Sequence, residues 1–239
     1  MEERIAEHFS AIILAGGRSS RMGKNKAMLL WQGKTLLEYQ TEKVKAVGIR
    51  DIVIAGDDYP VEGTRPVCDI IPGKGPLSGL HAGLTAAKNK YCVVLGVDTP
   101  LVTKDVLCSL IREHDRNTCD VTVLGHGGKI EPLIGVYNRD LRVKAEEILH
   151  TDKTAVRRLF EQAEAAVLEQ NEKEWQFIDC NTQGIRYGKT AAHGAERSQR
   201  PLNRIIRSCH GNFYITWFPN KKEDGHPAAL LFRAPKTGC

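Results

Sequence analysis

The stretch AIILAGGRSSRMGKNKAML, Ala11–Leu29, decides how the chain is read. Its apolar opening belongs to the run Ser10–Ala15, SAIILA, which Gly16-Gly17 ends, and this predicts a short buried strand. The next dozen residues are glycines, serines and four cations, Arg18, Arg21, Lys24 and Lys26. A tight turn needs far fewer residues. Glycines let successive backbone N–H groups face an anion and tolerate positive φ. Arginine adds a bidentate fork for phosphate oxygens and lysine a point charge. Such a segment is either a solvated basic loop or a cradle for something negative. Two familiar phosphate loops do not fit. Gly17 and Gly23 are separated by five residues rather than four and Lys24 is followed by Asn25, so the Walker spacing and its hydroxyl are missing. Gly16-Gly17 does not give the G-x-G-x-x-G of a dinucleotide fingerprint either.

Outward from this stretch, strand and helix signals alternate to about residue 180. Strands are predicted at DIVIAG (51–56), YCVVLGVD (91–98), CDVTVLG (119–125), EPLIGVYN (131–138) and WQFIDCN (175–181). Between them lie helical patterns. One is TLLEYQTEKVKAVG, with Leu36, Leu37, Val44 and Val47 at helical spacing and Gly48 as a stop. Another follows Pro76, a third follows the capping residue Thr103, and two more run over 139–150 and 153–162. The strand runs are continuously apolar, as expected of strands covered on both faces. The expectation is an α/β fold: a single domain with a mostly parallel twisted sheet flanked by helices. In such sheets ligands bind beyond the carboxyl ends of the strands. The loops after Ala15, Gly56 and Val97 then share one rim.

The 239 residues are 41% hydrophobic and 26% charged, an ordinary globular composition, with no internal repeat. No apolar run is long enough to span a membrane, and the polar start MEERIAEHFS is not a secretory signal, so a cytoplasmic location is expected. The seven cysteines form no C-x-x-C pair and read as buried reduced thiols. Of 34 cations and 29 anions, ten and three lie from Gln183 onward, leaving 24 and 26 in residues 1–182. The net charge of +5 thus belongs to the tail, and the near-neutral body gives no reason to expect a nucleic-acid partner.

The segment Leu14–Lys26 resembles the nucleotide-binding signature of the nucleotidyltransferases, L-A-G-G-x-S-x-R-M-G-x-[DN]-K. GPLSG (75–79), GVDTPLV (96–102) and DIIPGKGPLSGL with Asp69 resemble the molybdenum cofactor guanylyltransferase, or MobA-type, branch. EPLIGVYN and FIDCNT resemble its later segments, so the likeness covers about residues 9–182. It implies a Rossmann-like nucleotidyltransferase fold over 9–182. It also implies an enzyme that moves GMP from GTP to molybdopterin with Mg²⁺, releases pyrophosphate, and works alongside molybdoenzyme-maturation proteins. By the same resemblance Leu14, Ala15, Gly16 and Gly17 lie along the nucleotide, Arg21 and Lys26 neutralise the triphosphate, and Asp98 holds the metal. Asp69 contacts the guanine nucleotide or supports its ribose, and Asn181 lies near the metal or product phosphates. Asp57 stands where the family often has Asn, and Gly96 where it often has Cys, a departure expected not to touch the metal ligand.

Each of these residues also has an ordinary structural reading: Lys26 as a solvated lysine, Asp98 as a cap before Thr99-Pro100, Asp69 as a turn carboxylate. Cytidylyl and sugar-phosphate transferases share the signature loop, and a non-catalytic nucleotide-binding regulatory domain could keep the fold. Joint retention of Lys26 and Asp98 argues for an enzyme. After Thr182 the chain departs from the family's acidic terminal helix into an atypical basic tail, 183–239. That tail reads as a small appended domain, a basic extension or an out-of-frame continuation, with GNFYITWF as its one strand signal.

Overall fold

Six of the seven strands in the main sheet point the same way, and this alignment creates one functional edge. The computed structural model describes residues 2–16, 26–56, 61–126 and 129–170, together with two short strands at 213–215 and 230–232. After the helix α1 (Glu2–His8), strand β1 (Phe9–Leu14) is buried along its whole length, as its unbroken apolar run requires. A 3₁₀ turn, Lys26–Met28, leads into a small hairpin of β2 (Leu30–Trp31) and β3 (Lys34–Thr35). The helix α2 (Leu36–Val47) starts on a capping box in which Thr35 and Glu38 satisfy each other's backbone donors. It stops at Gly48, whose φ of 103° suits a residue without Cβ.

The rest follows the predicted alternation: β4 (Asp51–Ala55), β5 (Arg65–Val67), α3 (Pro76–Ala86), β6 (Tyr91–Gly96) and α4 (Lys104–Asn117). Then come β7 (Val121–His126), β8 (Lys129–Asn138), α5 (Leu141–Leu149), α6 (Val156–Glu161) and β9 (Ala165–Gln170). Thr103 caps α4 as expected, its side chain accepting from the Val106 amide. The sheet order is β5-β4-β1-β6-β8-β7-β9, with β8 alone reversed. Helices cover both faces. α2 and α4 pack on one side with Ile13, Ile54 and Leu95, and α3, α5 and α6 pack on the other with Ile12, Val53 and Val94.

Two sequence expectations meet a different outcome, and a third is not tested. The three-residue strand β5, Arg-Pro-Val, had not been foreseen because it has no apolar run, and β9 had not been foreseen although Ala165–Leu168 is apolar. The expected strand at 175–181 lies outside the described residues. Four cysteines are described and all are free, but only Cys92 is buried; Cys68 is exposed, so the thiols are not uniformly core residues. Within the tail, GNFYITWF supplies β10 (Phe213–Ile215), paired antiparallel with β11 (Leu230–Phe232) as a separate two-stranded sheet.

Candidate active site

The chain lays β4 and then β5 on one side of β1, and crosses back to lay β6 on the other. Loops leaving β1 and β6 therefore part in opposite directions and open a crevice at their carboxyl ends, the usual ligand position in such sheets. The loops after β1, β4 and β6 do share one rim, as the sequence predicted. They are stitched together by backbone. The amides of Ala15 and Gly16 both donate to the Ala55 carbonyl, at 2.9 and 3.1 Å, and the Val97 amide donates to the Leu14 carbonyl at 3.1 Å.

The β1–β4 contact is close enough to demand glycine. Gly56 has a φ of +144°, and a Cβ there would lie 2.5 Å from the Gly16 nitrogen. The same corner receives α3 and the loop after β5. A Cβ on Gly79 would meet Leu14 Cδ2 at 3.4 Å, Ala55 Cβ at 3.6 Å and Asp69 Oδ1 at 3.7 Å. Asp69 is thus brought over the carboxyl end of β4 towards Leu14, beside the glycine-rich start of α3.

On the β6 side the site is electrostatic. Lys26 Nζ donates to Asp98 Oδ2 at 3.1 Å across 72 residues of chain. Their side chains keep 17% and 30% of their accessible surface, so both remain within reach of a ligand. Asp98 follows β6 on a turn in which the Thr99 amide and hydroxyl both donate to the Gly96 carbonyl. Gly96 matters here. A Cβ at that position would stand 2.9 Å from Asp98 Oδ1, so the departure from the family's Cys does bear on the carboxylate, contrary to expectation.

Of the sequence-predicted residues, the structure joins Lys26 to Asp98 and gathers Leu14 and Asp69 around Gly79, with Ala15 and Gly16 held at the rim between the two groups. Gly17, Arg21, Asp57 and Asn181 lie outside the described residues. Sequence reasoning passed over Gln40 and Lys43. Both are buried on the core-facing side of α2, and both reach the turn that carries Asp98. The signal was present: two polar residues on the helical stripe that also holds Leu36, Leu37, Val44 and Val47. The carboxyl rim also carries a hydrogen-bonding contact between His126 Nε2 and Glu131 Oε1, 3.0 Å apart at the β7–β8 hairpin.

Known proteins match this arrangement. Residues 11–170 match the family model described as MobA-like NTP transferase domain. A probable molybdenum cofactor guanylyltransferase of Carboxydothermus hydrogenoformans is 31% identical over 163 residues, 68% of this chain and 82% of the relative. One of the same name from Peptoclostridium acidaminophilum is 32% identical over 189 residues, covering 72% and 84%. In fold, the chain is similar to the crystal structure of the molybdopterin-guanine dinucleotide biosynthesis protein A of Archaeoglobus fulgidus. That likeness has a TM-score of 0.57 and 24% identity, and covers 67% of this chain and 83% of that one. The strand order, the crevice it opens and these matches lead to one conclusion: the chain belongs to the family of MobA-like NTP transferase domains.

Proposed function

We propose that this chain transfers GMP from GTP to the terminal phosphate of molybdopterin and releases pyrophosphate. The observation that carries the proposal is the Lys26–Asp98 pair at the β1–β6 crevice, a cation and an anion side by side where a triphosphate would lie. In the reaction an acceptor phosphate oxygen bonds to the α-phosphorus of GTP. The bond from that phosphorus to the bridging oxygen breaks, and its electron pair leaves with pyrophosphate. Nothing needs to be oxidised or reduced. Both reactants are anions, so positioning and charge neutralisation make up most of the catalysis.

Lys26 is the described cation placed to meet that charge, and Arg21 on the signature loop is assigned the same task. Gly17, next in the signature, is assigned to the nucleotide with Ala15 and Gly16. Because the Ala15 and Gly16 amides are committed to Ala55, their carbonyls are the polar groups left for a nucleotide along that edge. Asp69, next to Gly79 and Leu14, is assigned to the nucleoside, with Asp57 on the neighbouring loop.

The donor set suits Mg²⁺. That ion takes one or two carboxylates and completes its shell with substrate phosphates and water. Asp98 offers one partly exposed carboxylate, and among the described residues no cluster of three or more acidic, His or Cys side chains forms an all-protein cage. Mg²⁺ held by Asp98 would draw charge from the phosphate oxygens during transfer. Among the described residues no helix is long and apolar enough to cross a membrane, and we assign the reaction to the cytoplasm, with molybdoenzyme-maturation proteins as recipients of the product. The two-part domain division, a catalytic unit over 9–182 and a separate basic tail over 183–239, is part of the same reading.

The test is pyrophosphate release from the chain incubated with molybdopterin, Mg²⁺ and each NTP in turn. Release with GTP alone is expected. Release with CTP and not GTP would overturn the choice of base, and release with no NTP would favour a non-catalytic binding domain.

A further inference from the structure

We infer that Gln40 and Lys43 are positioning residues for nucleotidyl transfer, a brace on α2 that fixes the turn presenting Asp98. This rests on the role proposed for Asp98. The turn Gly96–Pro100 leaves the sheet where β6 ends, and two side chains from α2 add to the Thr99 contacts that already hold the Gly96 carbonyl. Gln40 Nε2 donates to the Gly96 carbonyl at 3.0 Å and lies 3.4 Å from Thr99 Oγ1. Lys43 Nζ donates to the Pro100 carbonyl at 3.0 Å. Lys43 also donates to Gln40 Oε1 at 2.7 Å, which ties the two braces together. The segment carrying Asp98 is therefore gripped two residues before and two residues after the carboxylate.

Stability alone gives little reason for this choice of residues. Gln40 is fully buried and Lys43 is 9% exposed, on a helix stripe otherwise filled by leucine, threonine and valine. A buried lysine without a carboxylate partner is costly, and an apolar side chain of similar volume would serve packing better. The Gln40 and Pro100 oxygens that accept from Lys43 are neutral, and the Tyr39 ring centroid lies 5.0 Å from Nζ. Burial holds its ammonium down to about 7, as expected where no anion compensates the loss of water. What the pair does supply is a fixed direction for Asp98. A carboxylate that shares an ion with a moving phosphate must be held to within a fraction of an ångström.

The experiment compares the full chain with Gln40→Met and Lys43→Met in three measurements: melting temperature, Mn²⁺ affinity of the GTP complex by electron paramagnetic resonance, and kcat and KM. Both variants are expected to melt within a few degrees of the parent. Mn²⁺ affinity should weaken about 10-fold and kcat fall about 10-fold, while KM for GTP at saturating metal holds within about 2-fold. Unchanged metal affinity and kcat would overturn the brace. So would losses that merely track a lowered melting temperature, or failure of both variants to fold, since the side chains would then be holding the core. A parent that binds Mn²⁺ and GTP yet transfers nothing counts against the proposed reaction, and the brace is then judged on metal affinity.

Discussion

Replacing Gly56 by alanine should separate two loops that the nucleotide needs together. The new methyl would lie 2.5 Å from the Gly16 nitrogen, 2.8 Å from Gly16 Cα and 3.0 Å from the Ala15 carbonyl carbon, all of them backbone atoms that no rotamer change can move. Ordinary contact begins at 3.4 Å, so the two segments must part by about 0.9 Å. The amides of Ala15 and Gly16 now sit 2.9 and 3.1 Å from the Ala55 carbonyl. Opening by that amount takes both beyond hydrogen-bonding distance, at about 1 kcal/mol each. Holding alanine at a φ of +144° adds about 1–3 kcal/mol. The sum is about 3–5 kcal/mol, spent on unfolding stability, on GTP affinity or on both. Urea unfolding and calorimetric titration with GTP on the same protein read the two parts. Gly33→Ala is the control, since Gly33 has a φ of +81° with nothing within 4 Å of a Cβ, so it isolates the cost of φ. A Gly56→Ala protein within about 1 kcal/mol of the parent and within 2-fold in GTP affinity would refute the close-approach argument.

Lys26→Ala should lower turnover about 10²–10³-fold, the usual effect of losing one charge-assisted contact to the transition state, while stability changes by less than about 1 kcal/mol; single-turnover kinetics and a thermal melt check both. Asp98→Asn should abolish metal-dependent tightening of GTP and leave metal-free binding level or tighter, because one negative charge near the phosphates is gone. An active Asp98→Asn enzyme with a lowered melting temperature would mean that Asp98 is only a turn residue. Lys43 is charged up to pH 10.5 in the unfolded chain and up to about 7 in the folded one, so its penalty is complete below pH 7 and disappears as pH climbs to 10.5. Melts of parent and Lys43→Met from pH 6.5 to 10 should therefore show the difference shifting in the parent's favour, and a constant difference would contradict the buried charge. Truncation after Thr182 should leave a soluble protein that still binds GTP, and an insoluble product would place the tail in the core.

Sequence alone revealed the elements whose signal is local. β1, β4 and β6 are central strands buried on both faces, so their apolar runs are unbroken and end in glycine or a turn. Thr103 and Gly48 announced helix ends through the same chemistry that caps them. The shared rim of three loops followed from the strand–helix alternation. Hidden were features set by neighbours distant in sequence. Among the described strands β5 is an edge of three residues, Arg-Pro-Val, too short and polar to carry a pattern, and the apolar run Ala165–Leu168 of β9 is only four residues long. Lys26 and Asp98 were each named, but their contact across 72 residues is a property of the β1–β6 pairing. Gln40 and Lys43 interrupt the apolar face of α2, and the partners that explain them lie 56 and 57 residues away on the Asp98 turn.

The Lys26–Asp98 pair has a consequence for the order in which ligands arrive. With 3.1 Å between them, the ammonium and the carboxylate neutralise each other, so the pair itself presents little net charge. A divalent cation arriving alone would have to evict the ammonium and would find one carboxylate in return, a poor exchange. A cation that comes already chelated by a triphosphate changes the terms, because the phosphate oxygens offer the displaced ammonium a new partner as Asp98 turns to the ion. With Asp98 holding the metal as proposed, the pair would disfavour the free divalent ion and admit it more readily as a complex with the triphosphate.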